Sequence, residues 1–272
     1  MPSDGSPSLD APDLTTVLDL TGQAAIVTGG SRGVGRGIAE RFLAAGAAVV
    51  VCGRREPEQL PYAGGRDAAF VAADVRDPDE IDRVVAFTVE HLGRLDILVN
   101  NAGGSPPADT ATAPPKFTTA IITLNLIAPL VFAQRANAVM QEQPEGGVIL
   151  NITSVSGMRP TPNTAAYGAA KAGLINLTQT LAVELAPKVR VNAVTAGMVR
   201  TEQSHLFYGD DEGIAAVGAT VPLGRMAEPS DIGDACLFLA SPLARYVSGE
   251  NLVVHGGGER PAYLDAAKPG NG

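Results

Sequence analysis

Seven short apolar runs punctuate the chain: AAIVT (24–28), AAVVVC (47–52), AAFVAAD (68–74), LDILVN (95–100), GVILNIT (147–153), VRVNAV (189–194) and NLVVHG (251–256). A strand with one wet face alternates apolar and polar residues, and these runs do not. Continuous runs of this length predict parallel strands covered on both faces. Between them the period changes. Val34, Ile38 and Phe42 recur on one face of a helix predicted over 34–46. In DEIDRVVAFTVEHLG (79–93), Ile81, Val84, Val85 and Val89 fall on one side. Alternating strands and helices predict an α/β fold with one doubly wound, seven-stranded parallel sheet and helices on both faces. No internal repeat and no second composition regime appears, so 17–261 is expected to be a single domain. The Pro-, Ser- and Asp-rich start (1–16) and the end (262–272) are expected to be flexible tails.

Composition narrows the function. Of the 272 residues, 45% are hydrophobic, enough for a sizeable core. Lys plus Arg number 20 and Asp plus Glu 29, which leaves a net charge of −9 and no basic stripe for nucleic acid. No uninterrupted apolar run reaches the roughly 18 residues of a membrane helix. The start, MPSDGSPSLDAPD, lacks the basic and apolar regions of a secretory signal. A cytoplasmic protein with no membrane partner is expected. Cys52 and Cys236 lie far apart and are expected to be reduced thiols. His91, His205 and His255 are scattered, and no metal site is expected.

The first candidate for chemistry is TGGSRGVG (28–35), which follows the first predicted strand and opens the first predicted helix. Ligands of open α/β sheets bind at the carboxyl ends of the strands, and free N–H groups at a helix start attract phosphate. Gly29 is expected to make the turn, Gly33 to admit a ligand and Gly35 to let helix and strand approach. The spacing is G-x-x-x-G-x-G rather than G-x-G-x-x-G, and no Gly-Lys-Ser/Thr follows to make a P-loop. By itself the segment is also compatible with a glycine-rich turn that holds nothing, the less favoured of the two readings.

Further motifs fall where a dinucleotide site needs them. NNAG (100–103) ends the fourth strand, Asn125 stands in TLNL, and Ser154 follows the fifth strand. Tyr167 and Lys171 form a Y-x-x-x-K pair, with 167 − 154 = 13 residues between Ser154 and Tyr167. With these motifs and T-G-x-x-x-G-x-G, the chain resembles the short-chain dehydrogenase/reductases over roughly residues 20–258. It departs from that family twice. Ala196-Gly197 replaces the usual Pro-Gly, which loosens a turn. His255-Gly256-Gly257 replaces the frequent Asp-Gly-Gly, a change expected to affect packing or an interface away from the chemistry.

The resemblance implies a Rossmann fold and an NAD(P)(H)-dependent enzyme interconverting a small-molecule carbonyl and an alcohol. Its catalytic residues would be Asn125, Ser154, Tyr167 and Lys171. Ser154 would hold the substrate oxygen, Tyr167 act as acid and base, and Lys171 bind the nicotinamide ribose. Asn125 would hold a water linking Lys171 to solvent. Tyr167 and Lys171 are four apart, on one helical face, so Lys171 is expected to lower the Tyr167 pKa from its free value of about 10. The cofactor would be held by Gly29, Ser31, Arg32, Gly33, Val34 and Gly35. Asp74 and Val75 would flank the adenine, and Asn101, Ala102, Gly103, Gly197 and Val199 would line the site. Thr201 would bond the nicotinamide carboxamide.

The cofactor's identity turns on the end of the second strand. NAD-preferring relatives carry Asp there, bonded to the ribose 2′-OH, and this chain has Gly53 followed by Arg54 and Arg55. With Arg32 they suit a 2′-phosphate, so NADP(H) is the expected cofactor, with NAD(H) possible. Loops 104–115, 157–163 and 198–225 would set substrate choice. The last is rich in apolar residues and suits either a lid over a 3-oxoacyl thioester or a steroid-like ketone or, equally, a helix pair packing on its own domain. The final helix and strand resemble those that build homotetramers or homodimers in the family. The alternative is a catalytically silent NAD(P)-binding regulator on the same fold, against which the intact Ser154, Tyr167 and Lys171 argue.

Overall fold

The computed structural model describes residues 17–266. The tail expected over 1–16, and that expected at the end from 267 onward, lie outside these residues. Residues 262–266, expected in the C-terminal tail, form a short helix.

The strands are β1 (Ala24–Thr28), β2 (Ala48–Gly53), β3 (Tyr62–Ala63), β4 (Arg66–Asp67), β5 (Ala69–Ala72), β6 (Ile97–Asn100), β7 (Gly147–Ser154), β8 (Val189–Ala196) and β9 (Asn251–Val254). The helices are α1 (Gly33–Ala44), α2 (Pro78–Leu92), α3 (Pro115–Ile122), α4 (Ala128–Glu142), α5 (Ala165–Glu184), α6 (His205–Tyr208), α7 (Asp211–Ala219), α8 (Pro229–Ala240) and α9 (Ala262–Ala266). Seven strands form one parallel sheet in the order β5-β2-β1-β6-β7-β8-β9. The chain winds outward from β1 on one side, then returns to begin again at β6. The crevice of a doubly wound sheet opens at that reversal, beyond the carboxyl ends of β1 and β6. All seven expected strands are present, with ends shifted by a few residues. The unexpected addition is the β3–β4 hairpin, which turns at Gly64 (φ 60°) and Gly65 (φ 77°). Its strands are too short to show an alternating pattern.

The continuous apolar runs exist because both sides of the sheet are covered. Ala25, Val27, Val49, Val51, Ile97 and Val99 meet α1 and α8 in one core. Their neighbours Ile26, Val50, Cys52 and Leu98 point the other way, toward α2, α4 and α5. Cys236 lies in the first core and Cys52 in the second. Both are free, and burial pushes the Cys52 thiol up to about 12 and raises that of Cys236 as well. Helices α1 and α8 touch backbone to backbone: a Cβ on Gly37 would stand 2.5 Å from Pro229 Cβ, and one on Gly233 would stand 2.8 Å from the Gly37 carbonyl. Local signals set the ends of α2. Asp77 accepts from Asp79 N at 3.0 Å, Pro78 opens the helix, and Gly93 (φ 76°) closes it.

Residues Pro115–Glu142 run as one 28-residue helical rod with an 18-residue stretch of mean hydropathy 1.6, long and apolar enough by length and composition to cross a membrane. The expectation from uninterrupted runs missed it because single polar residues divide the segment. Here Ile121, Ala128, Phe132, Ala133, Ala136 and Met140 are buried inside the protein. A buried polar rail joins the sheet to the helices on that side. Asn100 Nδ2 donates to Asn151 Oδ1 (3.0 Å) and to the Pro129 carbonyl (3.1 Å), and Asn151 Nδ2 donates to Thr178 Oγ1 (2.9 Å). Thr178 lies on α5, so this rail fixes the helix that carries Tyr167 and Lys171.

Candidate active site

The glycine loop fits a pyrophosphate by what it leaves out. Helix α1 starts at Gly33 behind Arg32, with no side-chain cap and no acidic residue in its first turn. Its leading N–H groups therefore have no side-chain acceptor. Gly29 (φ 63°) would bring a Cβ within 3.1 Å of Ala102 Cα. A Cβ on Gly35 would stand 2.4 Å from Asn101 Nδ2 and 2.5 Å from the Gly29 carbonyl. Gly33 (φ 52°) instead faces Thr201, whose methyl group lies 3.5 Å from the position a Cβ would take. Thr201, Glu202 and His205 line an open hollow there with Arg200, Asp211 and Pro229. Ser31 lies beside Gly53, and Val34 packs on the first core.

One residue outside the expected set joins this loop to the next. Thr28, the last residue of β1, is buried, and its Oγ1 accepts from both Asn101 N and Ala102 N at 2.9 Å. Asn101 Nδ2 returns a bond to the Thr28 carbonyl at 2.8 Å. The loops after β1 and β6 are thus locked edge to edge at the reversal point. The sequence signal was present, since Thr28 opens the glycine motif. In NNAG the two asparagines divide the work: Asn100 is structural and Asn101 serves the crevice.

The four candidate catalytic residues form a connected group, of which Asn125 and Lys171 stand beside Gly103. Asn125 sits in a π-helical turn, Thr123–Ile127, between α3 and α4, and is fully buried. Such turns recur at functional sites. Its Nδ2 donates to the carbonyls of Ile121 (2.9 Å) and Gly104 (3.0 Å), and its Oδ1 accepts from Gly104 N (2.9 Å). A Cβ on Gly103 would meet Asn125 Oδ1 at 2.6 Å and Lys171 Nζ at 3.2 Å, so the glycine lets both side chains close in. Lys171 is buried and donates to the Ile152 carbonyl at 2.8 Å, and its Nζ lies 5.6 Å from the centre of the Tyr167 ring. Ser154 ends β7, where its Oγ accepts from Ser156 N at 3.2 Å, and its hydroxyl is near enough to Tyr167 to act on the phenol.

The electrostatics correct one expectation. Lys171 does not lower the Tyr167 pKa in this geometry. Burial holds the phenol above the ordinary tyrosine range, and the opposing influence is the Ser154 hydroxyl. The Lys171 ammonium is directed at a backbone carbonyl and the ring rather than at the phenol oxygen, and burial pushes its own pKa down to about 8.

At the end of β2, a Cβ on Gly53 would meet only Ser31 Oγ at 3.7 Å and Phe70 at 3.9 Å, so the position is open. Arg32, Arg54 and Arg55 are exposed; among the described residues none of the three forms an ion pair, although the charge of Arg54 also acts on the Asp74 carboxyl. Asp74 does have a partner. Its carboxylate takes Arg76 Nε at 2.9 Å and Nη2 at 2.5 Å, and the guanidinium holds it below the usual carboxylate range. Val75 is buried in the second core. On the far side, Gly197 packs on His255: a Cβ there would stand 2.8 Å from His255 Cα. The Ala196-Gly197 and His255-Gly256-Gly257 segments therefore pack against each other. Val199 bridges to Ala227, which holds the segment leading to Thr201.

The rim is apolar with a polar edge. Met158, Leu206, Phe207 and Leu223 are exposed. Arg159 forms an ion pair with Glu259, and Tyr208 of α6 is influenced by both charges. The segment holding Glu259 follows three left-handed glycines, Gly256 (φ 65°), Gly257 (φ 96°) and Gly258 (φ 88°). It runs along the end of the 198–225 segment, where Leu223 N donates to the Gly256 carbonyl at 3.1 Å.

Among known proteins, the family model described as enoyl-(acyl carrier protein) reductase matches residues 29–259. A 3alpha-hydroxysteroid dehydrogenase of Mediterraneibacter gnavus is 38% identical over 87% of this chain and 97% of its own. A 3-oxoacyl-[acyl-carrier-protein] reductase of Synechocystis sp. is 36% identical over 88% of this chain and 97% of its own. A short-chain type dehydrogenase/reductase from Mycobacterium marinum superposes with a TM-score of 0.83 at 31% identity, over 92% of this chain and 100% of its own. Sheet order, crevice loops and relatives agree: the chain belongs to the short-chain dehydrogenase/reductase family, oxidoreductases that act on CH–OH and C=O groups with a nicotinamide dinucleotide.

Proposed function

We propose that the protein is an NADP(H)-dependent ketoreductase or secondary-alcohol dehydrogenase in which Tyr167 exchanges the proton. The observation that carries this reading is a continuous group: Asn125 and Lys171 close in beside Gly103, Lys171 lies over the Tyr167 ring, and the Ser154 hydroxyl acts on the Tyr167 phenol. The nicotinamide, when bound, supplies or accepts the hydride. Gly29, Gly33 and Gly35 admit its pyrophosphate, and Asn101, Ala102 and Thr201 line its path. The hydroxyls of Ser154 and Tyr167 hold the substrate oxygen. In reduction the Tyr167 phenol donates its proton to that oxygen, and in oxidation the phenolate takes it back. Lys171 supplies positive charge on the side of the ring away from solvent.

The NADP(H) preference is argued from the open position at Gly53 and from three exposed basic side chains, Arg32, Arg54 and Arg55. The apolar rim favours a bulky hydrophobic ketone. The relatives named for steroids and for 3-oxoacyl thioesters point the same way. A panel of ketones and secondary alcohols, followed at the NADPH absorbance in both directions, tests the reading. Turnover of at least one apolar ketone with NADPH is expected. A folded protein that binds NADPH and turns over nothing in the panel would favour the silent regulator.

The pH dependence follows from the raised Tyr167 pKa. Reduction uses the protonated phenol, so its kcat/KM is expected to stay level through neutral pH. Oxidation uses the phenolate, so its kcat/KM should climb as pH rises, while Lys171 loses its charge near 8. An oxidation profile that is level across the same range would remove Tyr167 as the base.

A further inference from the structure

We infer that Arg36 is a positioning residue for cofactor selectivity: it fixes the loop that carries Arg54 and Arg55 to the helix that begins at Arg32. The inference rests on the NADP(H) reading above.

The geometry starts with helix α1. Arg32 precedes its first residue and Arg36 lies one turn further, so the two share a face. Arg36 divides its fork of donors. Nε goes to Glu40 at 2.8 Å, Nη1 to the Gln59 carbonyl at 3.2 Å, and Nη2 to the Leu60 carbonyl at 3.3 Å. Glu40, four residues on, holds the guanidinium in place. The two carbonyls are consecutive and belong to the loop between β2 and β3, whose first residues are Arg54 and Arg55.

The rest of that loop is also anchored to α1. Ala68 N donates to the Pro61 carbonyl at 2.9 Å, which ties the loop's end to the β3–β4 hairpin. Arg66 Nη1 donates to the Gly46 carbonyl at 2.6 Å, and a Cβ on Gly64 would stand 2.8 Å from the Leu43 carbonyl, so the hairpin rests on the end of α1. Among the described residues, the segment from Glu56 to Glu58 between these anchors has no hydrogen bond or ion pair. Arg36 is therefore the contact that draws the loop onto the face of α1 where Arg32 stands. A phosphate between Arg32 and Arg54 needs both arms at a fixed separation, and Arg36 sets it without touching the phosphate.

The test uses ligands that differ only at the phosphate. Calorimetric titration of the full-length protein with 2′,5′-ADP and with 5′-AMP measures the selectivity directly and needs no turnover. Wild type is expected to bind 2′,5′-ADP more tightly. Arg36→Met should weaken 2′,5′-ADP by about tenfold, the loss of two modest hydrogen bonds, and leave 5′-AMP almost unchanged. The retained 5′-AMP affinity also reports that the variant is folded. Glu40→Gln, which only loosens the guanidinium, should give a smaller loss of the same kind. If Arg36→Met keeps the full preference, or weakens both nucleotides alike, the positioning role is overturned while the NADP(H) reading stands. If wild type binds both equally, the NADP(H) reading falls and this inference with it.

Discussion

Replacing Tyr167 by Phe is expected to lower kcat/KM for ketone reduction by about a thousandfold, the scale of a lost general acid, while NADPH still binds. The substitution removes one oxygen and keeps the ring. The ring of Tyr167 is what Lys171 contacts, at 5.6 Å, and Lys171 keeps its bond to the Ile152 carbonyl, so the surrounding packing survives. What is lost is the proton that reaches the substrate oxygen and the partner of the Ser154 hydroxyl. Single-turnover absorbance with NADPH separates hydride transfer from binding, and nucleotide titration by fluorescence checks that the cofactor still enters. A variant that keeps its rate within about tenfold of wild type would show that the proton comes from elsewhere.

The second large effect is expected at Gly53. Gly53→Asp puts a carboxylate where the NADPH 2′-phosphate is proposed to lie, and the opposing charges on NADPH should cost about a hundredfold in kcat/KM. NADH should gain, because the same carboxylate can accept from a ribose 2′-OH. The backbone permits the change. Gly53 is not among the left-handed glycines, and a Cβ there meets nothing closer than 3.7 Å. Arg32→Ala is the complementary variant, with NADPH losing and NADH unaffected. Steady-state kinetics with both cofactors decide the matter. Equal changes for the two would reduce Arg32 to a surface charge.

Much of this architecture was legible before any coordinates. The seven apolar runs became the seven strands because a sheet covered on both faces leaves no polar alternation to confuse the pattern. Thr28, Asn101 and the glycines were legible as a motif, and so were Tyr167 and Lys171 through their spacing on one helix. Three features were hidden. The β3–β4 hairpin is too short to carry a period. The direction of the Tyr167 pKa depends on burial and on where the Lys171 ammonium points, which spacing along a helix does not specify. Arg36 looked like any exposed helical arginine, because its partners are backbone carbonyls of Gln59 and Leu60, and a carbonyl has no signature in the sequence.

The ion pair at the rim bears on how the chain can be handled. Truncation after Gly258 would spare every strand of the sheet, yet it would remove Glu259 and strip Arg159 and Tyr208 of the carboxylate beside them. Trimming a chain terminus is ordinarily judged by distance from the core, but here the cut would remove half of an ion pair that acts on Tyr208. On the proposed reading that ion pair borders the substrate entrance, so the kinetics of a version cut there should not be taken for those of the 272-residue chain.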